Sequence, residues 1–166
     1  MLYEVMGNLI NDEKYKIFCH QTNCKGVMGA GIAKQIAFRF PAVQMRNLDY
    51  CKKKNVLGTF LPIRVAPERV CVNLYAQDGF GRNKCYTDYK ALAESLNKLA
   101  EALKKVPKDW DIGFPYRMGC GLAGGSWGKV YPLIVQFANK VNQDVYIVHL
   151  KGVQSEIKAE RTYYRV

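Results

Sequence analysis

The sequence is poor in histidine, has no CxxC motif and contains no long apolar run. It has 2 His, and its 6 Cys lack the CxxC spacing that zinc sites commonly use. We therefore predict no metal ion, no other cofactor and six reduced thiols. No apolar run approaches the roughly 20 residues that cross a bilayer, so we predict no membrane-spanning segment and no membrane partner.

The amino-terminal stretch MLYEVMGNLINDEKYK lacks the basic segment and apolar core of a secretory signal peptide. Its apolar and polar residues alternate, which is typical of a β-strand. We therefore expect residues 2–10 to form a first strand and the protein to be cytoplasmic.

Acidic residues are scarce relative to basic ones. The chain has 25 Lys and Arg against 14 Asp and Glu, a net charge of +11. A field of that sign attracts polyanions such as nucleic acid, poly-ADP-ribose or nucleoside diphosphates, and charge alone does not choose among them. Clusters of basic residues such as those at 52–54 and 104–108 are also common on solvated helix faces that bind no partner.

Strand-like runs alternate with amphipathic helical patterns along the 166 residues, a length typical of one domain. The runs at 58–67 and 68–77 are expected to form an antiparallel pair. Strands are also predicted at 16–24, 111–120 and 143–150, and helices at 31–40, 47–58, 87–106 and 126–141.

This alternation predicts an α/β fold, a three-layer α/β/α sandwich with a mixed, mostly parallel central sheet. We place a single domain at residues 1–152 and leave the structure of a carboxyl-terminal extension, residues 153–166, undecided.

Two glycine-rich turns, Gly26 to Gly31 and Gly119 to Gly125, each follow a predicted strand and open a predicted helix. Such turns expose backbone N–H groups and the positive end of a helix dipole without a Cβ in the way, which suits a diphosphate. Neither a Walker A motif nor a dinucleotide fingerprint is present after Lys25. Since ligands bind at the carboxyl ends of strands in such sheets, we expect both turns to face one cleft.

Three segments resemble the macrodomain family, which binds ADP-ribose. They are VMGN, CHQTNCKGVMGAGIA and PYRMGCGLAGGSW, and the resemblance extends over residues 2 to about 150. It implies the macrodomain α/β/α fold and a site for ADP-ribose or an ADP-ribosylated substrate. Within the family, the chain looks most like the ADP-ribose 1''-phosphate phosphatases and small ADP-ribosyl-ester hydrolases.

The resemblance also implies roles for individual residues. Asn8 stands where the family usually has an adenine-contacting Asp, Asn23 matches the asparagine that touches the distal ribose, and both glycine turns would contact the diphosphate and distal ribose. Cys120 and Leu122 are expected to pack. The implied ligand-binding residues are Asn8, Leu9, Asn23, Gly26, Val27, Met28, Gly29, Ala30, Gly31, Ile32, Gly119, Cys120, Gly121, Leu122, Ala123, Gly124 and Gly125.

Catalysis is left open by the same residues. The resemblance puts Ala123 where the glycohydrolase branch carries its Asp, and the position of that branch's Lys falls near Gln77, so a lysine-dependent mechanism is not expected. A phosphatase or ester hydrolase could use His20, whose ordinary pKa of about 6.5 suits proton transfer, together with Asn23 or Asp78. The alternatives are a reader of ADP-ribose without turnover and a basic nucleic-acid-binding module.

A second motif points elsewhere. GGSWG matches the nucleophile-elbow pattern around Ser126, and Asp144 and His149 follow in the order of an α/β-hydrolase triad. Asp144 and His149 share one strand-like run, however, and Ser126 fits better as a helix N-cap. We therefore disfavour a serine hydrolase.

Overall fold

The computed structural model of the chain describes residues 1–150 and the backbone of residues 161–163. The predicted extension at 153–166 lies outside the described residues except for this last short strand. The elements are β1 (Leu2–Gly7), β2 (Ile17–Asn23), α1 (Gly31–Arg39), α2 (Pro41–Tyr50), β3 (Phe60–Ala66), β4 (Arg69–Gln77), α3 (Tyr89–Ala102) with a 3-10 turn (Leu103–Lys105), β5 (Ile112–Pro115), α4 (Trp127–Lys140), β6 (Val145–Leu150) and β7 (Arg161–Tyr163).

The described strands form one sheet in the order β3-β4-β2-β5-β6-β1-β7. The five strands from β4 to β1 run parallel, while β3 pairs antiparallel with β4 and β7 pairs antiparallel with β1. The predicted mixed, mostly parallel sheet and the antiparallel pair β3-β4 are therefore confirmed.

Helices cover both faces of the sheet. On one face, Ile36 of α1 and Val43 of α2 pack in one apolar core with Phe18 of β2. On the other face, side chains of α3 and α4 pack in a second core with Cys19, the next residue of β2. All seven residues of β2 are buried because successive side chains of a central strand enter opposite cores. The three-layer sandwich is confirmed.

The predicted second helix, residues 47–58, is wrong in its bounds. α2 begins at Pro41, the residue expected to end the first helix, because proline at the first helical position gives up an N–H that has no intrahelical partner. The helix ends at Tyr50. Gly58, the predicted helix end, lies at φ +84° before β3, where its N–H donates to the carbonyl of Tyr75 at 2.8 Å.

The first strand is also shorter than predicted. It ends at Gly7 because Asn8 starts a turn in which its Oδ1 accepts the backbone N–H groups of Ile10 at 3.2 Å and Asn11 at 3.0 Å. No helix in the described part of the chain is long and apolar enough to cross a bilayer.

Candidate functional site

Two adjoining cavities lie along the carboxyl-terminal ends of the parallel strands. The first has a volume of about 240 Å³ and the second about 570 Å³. Both are lined by Ile32, Pro115 and Tyr116, so they form one elongated cleft. Such a shape fits a ligand with two bulky ends better than a small compact one.

The first cavity lies between the turn that follows β1 and the end of β6. Asn8 and Leu9 line it from one side, and His149 lines it from the other. His149 is held by a contact of 2.9 Å between its Nε2 and Glu4 Oε1, and its ring stacks on Tyr116 with centroids 3.8 Å apart. This cavity therefore has one wall of stacked rings and one wall of loop backbone.

Arg69, at the start of β4, holds the loop that builds this first cavity. Its guanidinium donates to the carbonyl oxygens of Leu9 (2.8 Å), Ile10 (2.7 Å), Asp12 (3.1 Å) and Tyr15 (3.1 Å). The side chain is buried, and the guanidinium carbon lies 4.4 Å from the centre of the Phe18 ring. Arg69 thus fixes the path of loop 8–15. These hydrogen bonds could not be predicted from the sequence, since every acceptor is a main-chain atom.

Gly113 of β5 makes room for the same loop. A Cβ at this position would lie 2.4 Å from Leu9 Cδ1 and 3.1 Å from the ring of Tyr15. Leu9 packs where a side chain of β5 would otherwise stand, and this places the backbone of residues 8–10 at the cavity.

One wall of the second cavity is the glycine loop after β2. Asn23 organises it: its Nδ2 donates to Val27 O at 2.8 Å, and its Oδ1 accepts the N–H groups of Lys25 at 2.9 Å and Val27 at 3.2 Å. Residues 29–31 then lead into α1, whose amino terminus has no side-chain cap and no acidic residue in its first turn. Backbone donors and the positive end of the α1 dipole therefore border this cavity.

The opposite wall is the turn after β5. Gly119, at φ +74°, is fixed through its carbonyl oxygen, which accepts from Thr87 Oγ1 at 2.7 Å and from the N–H of Gly125 at 2.8 Å. Arg117 also adopts a left-handed conformation, at φ +59°, which is unfavourable for a residue with a Cβ. Gly121, Leu122 and the strained Arg117 all line the cavity.

A third segment, residues 77–82, closes the cavity from the side of β4. Gln21 Nε2 donates to Gln77 Oε1 and to Thr87 Oγ1, each at 2.9 Å, and this joins the ends of β2 and β4 to the start of α3. Phe80 and Arg82 follow Gln77 and line the cavity.

The charge of the cleft is positive. Among the residues that the structure describes around the two cavities, Arg82 and Arg117 are the permanently charged side chains, and none is Asp, Glu or Lys. Guanidinium groups, an uncapped helix terminus and neutral amides together favour an anionic ligand, above all one with phosphate groups.

Most of the predicted binding residues line this cleft. They are Asn8, Leu9, Asn23, Val27, Gly29, Ala30, Gly31, Ile32, Gly119, Gly121, Leu122 and Ala123. Gln77 and Ala123 both lie in the second cavity, and the resemblance places them near the Lys and Asp positions of the glycohydrolase branch.

Five predicted binding residues do not line the cleft. A Cβ on Gly26 would face Leu48, Met28 is buried in the apolar core, and Cys120 packs against the core on the other face of the sheet. Gly124 and Gly125 lie behind the wall: a Cβ on Gly124 would be 3.1 Å from Lys84 O, and one on Gly125 would be 2.5 Å from Gly119 O. These glycines allow close backbone packing, and they are absent from the lining of both cavities.

His20 does not occupy the place predicted for a catalytic acid or base. It lies within β2 and not at its end, is fully buried, and lines neither cavity. Its Nε2 lies 2.6 Å from Asn73 Oδ1, and burial lowers the pKa of the imidazole to about 4. The ring is therefore neutral at pH 7 and part of the core.

The other two catalytic candidates differ in position. Asn23 lines the second cavity, with its amide bonded to the glycine loop as described above. Asp78 is 75% exposed and lies 3.9 Å from Lys25 Nζ. Its carboxylate is outside the lining of the cavity.

The three residues of the disfavoured serine triad have different structural roles and different places in the fold. Asp144 precedes β6 and pairs with the amino terminus at 3.4 Å, while His149 lies near the opposite end of the same strand. Ser126 occupies the N-cap position of α4, where its side chain makes no capping bond and its N–H donates to Tyr89 Oη at 2.9 Å.

Sequence reasoning missed the part of the cleft that comes from strand ends and from segment 77–82. Gln21 and Thr22 lie within the last three residues of β2, and Gln77 ends β4, so their position near a carboxyl end was an available signal. Arg82 and Tyr116 carry no such signal, because only the packing of their segments brings them to the cavity.

Acid is expected to destabilise the fold through His20. Its pKa is lowered from an unfolded value near 6.5 to about 4, so the neutral form stabilises the fold above pH 6.5 and this contribution falls as the pH drops toward 4. The loss attributable to this pKa shift is about 3 kcal/mol at pH 4 relative to pH 7. Urea unfolding of the wild type and of His20→Asn at pH 7, 5.5 and 4 measures it. An equal pH dependence in the two proteins would contradict the assignment.

Two glycines of the same wall should respond differently to alanine. Gly119→Ala is expected to cost about 1–2 kcal/mol, because φ is +74° and the new Cβ would lie 2.5 Å from Gln21 Oε1. Gly121→Ala is the matched control: its Cβ would meet nothing within 4 Å, so the free energy of unfolding should change by about 0.5 kcal/mol or less. Equal costs in thermal or urea unfolding would show that this wall is not held as described.

Comparison with known proteins finds similar sequences and similar folds. No protein-family model matches the chain. The chain is 25% identical over 169 residues to the ADP-ribose 1''-phosphate phosphatase of Saccharomyces cerevisiae, a similarity that covers 86% of this chain and 96% of the yeast protein.

Solved structures show the same fold. The macrodomain of Mycobacterium tuberculosis DarG is similar with a TM-score of 0.76 at 18% identity, covering 90% of this chain and 97% of that chain. Thermosipho africanus DarTG in complex with ADP-ribose is similar with a TM-score of 0.69 at 24% identity, and the similarity covers 86% of this chain and 39% of that chain. The chain therefore has the fold of these macrodomains, as the resemblance of its glycine-rich loops implied.

Proposed function

We propose that the protein binds ADP-ribose or a close derivative in the cleft formed by the two cavities. The observation that carries this proposal is the pairing of a ring-walled first cavity with a second cavity that has two arginines, an uncapped helix terminus and no described carboxylate in its lining. The nucleoside would occupy the first cavity beside Asn8, and the diphosphate and distal ribose would occupy the second.

Similar proteins support the choice of ligand. The yeast relative is named for its action on ADP-ribose 1''-phosphate, and DarTG was solved in complex with ADP-ribose. Both similarities extend over more than four fifths of this chain.

A second candidate function is hydrolysis of the 1''-phosphate of ADP-ribose. Arg82 and Arg117 both line the second cavity, so a phosphate on the distal ribose would find a cation there in addition to the donors that a diphosphate needs. Such hydrolysis would use a water positioned by backbone groups and amides, with Asp78, the residue after Gln77 of the lining, as the candidate carboxylate. Ester hydrolysis would use the same groups. We do not propose lysine-dependent glycohydrolase chemistry, since Gln77 and Ala123 stand at the positions concerned.

Calorimetric titration tests the binding proposal. ADP-ribose should bind in the micromolar range, with ADP about tenfold weaker or worse and AMP weaker still, because ADP lacks the distal ribose and AMP also lacks the second phosphate. Absence of heat and of any thermal shift with ADP-ribose would overturn it.

Phosphate release from ADP-ribose 1''-phosphate then tests turnover. Arg117→Ala and Asp78→Asn should slow release, and His20→Asn should not, because His20 lies outside the cavities. Tight binding without release would make the protein a reader of ADP-ribose groups, without turnover.

We also propose that residues 1–152 form the single binding domain, with residues 153–166 as an extension from it. The pairing of Arg161–Tyr163 with β1 at the sheet edge supports an extension that returns to the domain.

A further inference from the structure

The outer side of the layer formed by α1 and α2 carries much of the chain's positive charge. Residues 25–58 contain seven basic residues and one acidic residue, Asp49, and so carry +6 of the net charge of +11. All seven basic side chains are exposed, and they are Lys25, Lys34, Arg39, Arg46, Lys52, Lys53 and Lys54.

These charges are largely unneutralised within the protein. Lys25 pairs with Asp78 at 3.9 Å, and among the described residues the other six have no carboxylate within ion-pair distance. Unneutralised charge of one sign on one layer attracts an oppositely charged partner and raises its local concentration.

The same layer exposes large apolar side chains between these cations. Phe38 is 89% exposed, Met45 71% and Leu48 49%. Phe38 is two residues after the buried Ile36, and Met45 is two after the buried Val43. Two residues are about 200° of helical rotation, so both side chains point away from the core.

We propose that this outer α1–α2 surface binds single-stranded nucleic acid. Phosphates would contact the unneutralised Lys and Arg side chains, and bases would stack on Phe38 and against Met45. The proposal concerns a surface outside the cleft and does not depend on the ligand proposed for the cleft.

Other occupants fit the surface less well. A second copy of the chain would bring +6 against +6, which disfavours self-association through this layer. An acidic amphipathic helix needs an apolar groove to bury its apolar side, whereas Phe38 and Met45 are 89% and 71% exposed side chains that point away from the core. A flexible strand with stacking bases needs only exposed rings and spaced cations.

The surface and the cleft are separable along α1. The helix begins at Gly31 in the second cavity and reaches Phe38 seven residues later, about 10 Å along its axis. Free ADP-ribose is therefore expected to leave a bound oligonucleotide in place.

Fluorescence anisotropy with a labelled 12-nucleotide oligo-dT, at about 50 mM salt, tests the proposal. Phe38→Ala should weaken binding about tenfold, because one base would no longer have a ring to stack on. Arg39→Glu with Arg46→Glu should weaken it more and flatten the salt dependence, by roughly 0.7 in log–log slope for each phosphate that the protein no longer neutralises. Saturating ADP-ribose should change neither value.

Matched controls separate this surface from general charge and from the cleft. Lys90→Glu with Lys98→Glu makes the same change in net charge on α3, which covers the opposite face of the sheet, and should weaken binding far less. Phe80→Ala removes an exposed ring at the cleft and should leave oligo-dT binding unchanged.

Three results would overturn the proposal. The first is that the wild type binds oligo-dT no more tightly than the Arg39→Glu, Arg46→Glu double variant does. The second is equal losses of affinity in the α1–α2 and α3 charge variants. The third is binding of polyglutamate or of anionic phosphatidylserine vesicles as tight as that of oligo-dT and unaffected by Phe38→Ala, which would assign the surface to an acidic peptide or a membrane.

Discussion

Replacing Arg69 with Met should lower the free energy of unfolding by about 3 kcal/mol, the largest stability loss that we expect from a single side chain outside the apolar cores. The guanidinium donates to four main-chain carbonyls, of Leu9, Ile10, Asp12 and Tyr15, and it is buried against Phe18. Methionine fills a similar volume but leaves these carbonyls without their donor. Urea denaturation measures the loss.

Two variants control this prediction. Arg69→Lys keeps the charge but places its donors on a single nitrogen, so it should recover little of the lost stability. Arg46→Met removes an exposed arginine of α2 and should change stability by about 0.5 kcal/mol or less. If Arg69→Met behaved like Arg46→Met, the loop would not depend on this residue.

Loss of the Arg69 guanidinium also has a consequence for ligand binding. Loop 8–15 carries Asn8 and Leu9 into the first cavity, and the Arg69 guanidinium fixes its carbonyls. At a temperature where Arg69→Lys is still folded, its affinity for ADP-ribose should fall because the proposed nucleoside end of the cleft is less ordered. Unchanged affinity in a destabilised protein would limit Arg69 to a role in folding.

Replacing Arg117 with Gly should have opposite effects on binding and on stability. The affinity for ADP-ribose should fall at least about tenfold, since the guanidinium that lines the second cavity is removed. The free energy of unfolding should rise by about 0.5 kcal/mol, because glycine relieves the left-handed conformation at φ +59° and the relief exceeds the added entropy of the unfolded chain. Calorimetry and urea unfolding of the same preparation measure both effects.

Two matched variants separate charge from backbone strain. Arg117→Ala loses the charge and keeps the strained conformation, so its affinity should fall equally with no gain in stability. Asn55→Gly relieves a similar conformation at φ +61° outside both cavities, so stability should rise with no change in affinity. Full affinity in Arg117→Gly would remove Arg117 from the binding site, and an equal stability gain in Arg117→Ala would contradict the strain.

Much of the fold was predictable because local pattern and burial agree along most of the chain. The 3–4 spacing in α3 and α4 and the buried runs of β2 and β4 specify their elements. Asp88 caps α3 by accepting the N–H of Ala91 at 3.0 Å, and an Asp directly before an amphipathic run is a typical N-cap. The bounds of α2 were not predictable from pattern alone, because Pro41 suits both a helix end and a helix start.

The glycine loops of the candidate site were predictable from the sequence, and the rest of its lining was not. Gly29, Gly31 and Gly121 were recognisable because glycines clustered in a turn are themselves the predictive pattern, and they do line the cleft. The place of His20 was misjudged because a strand-end histidine and a core histidine look alike until the strand's length is known. Arg69 gave no signal at all, since its partners are backbone carbonyls.

The sequence by itself determined the order of strands and helices, the α/β class, the two glycine turns and the excess positive charge, because each of these depends on the type and spacing of neighbouring residues. Only the tertiary structure decided which of these residues meet. The contacts of Gln21 with Gln77 and of Arg69 with loop 8–15 join segments tens of residues apart, and so does the lining of one cavity by both Arg82 and Arg117. Such contacts are set by strand order and by the packing of layers, which no local pattern encodes.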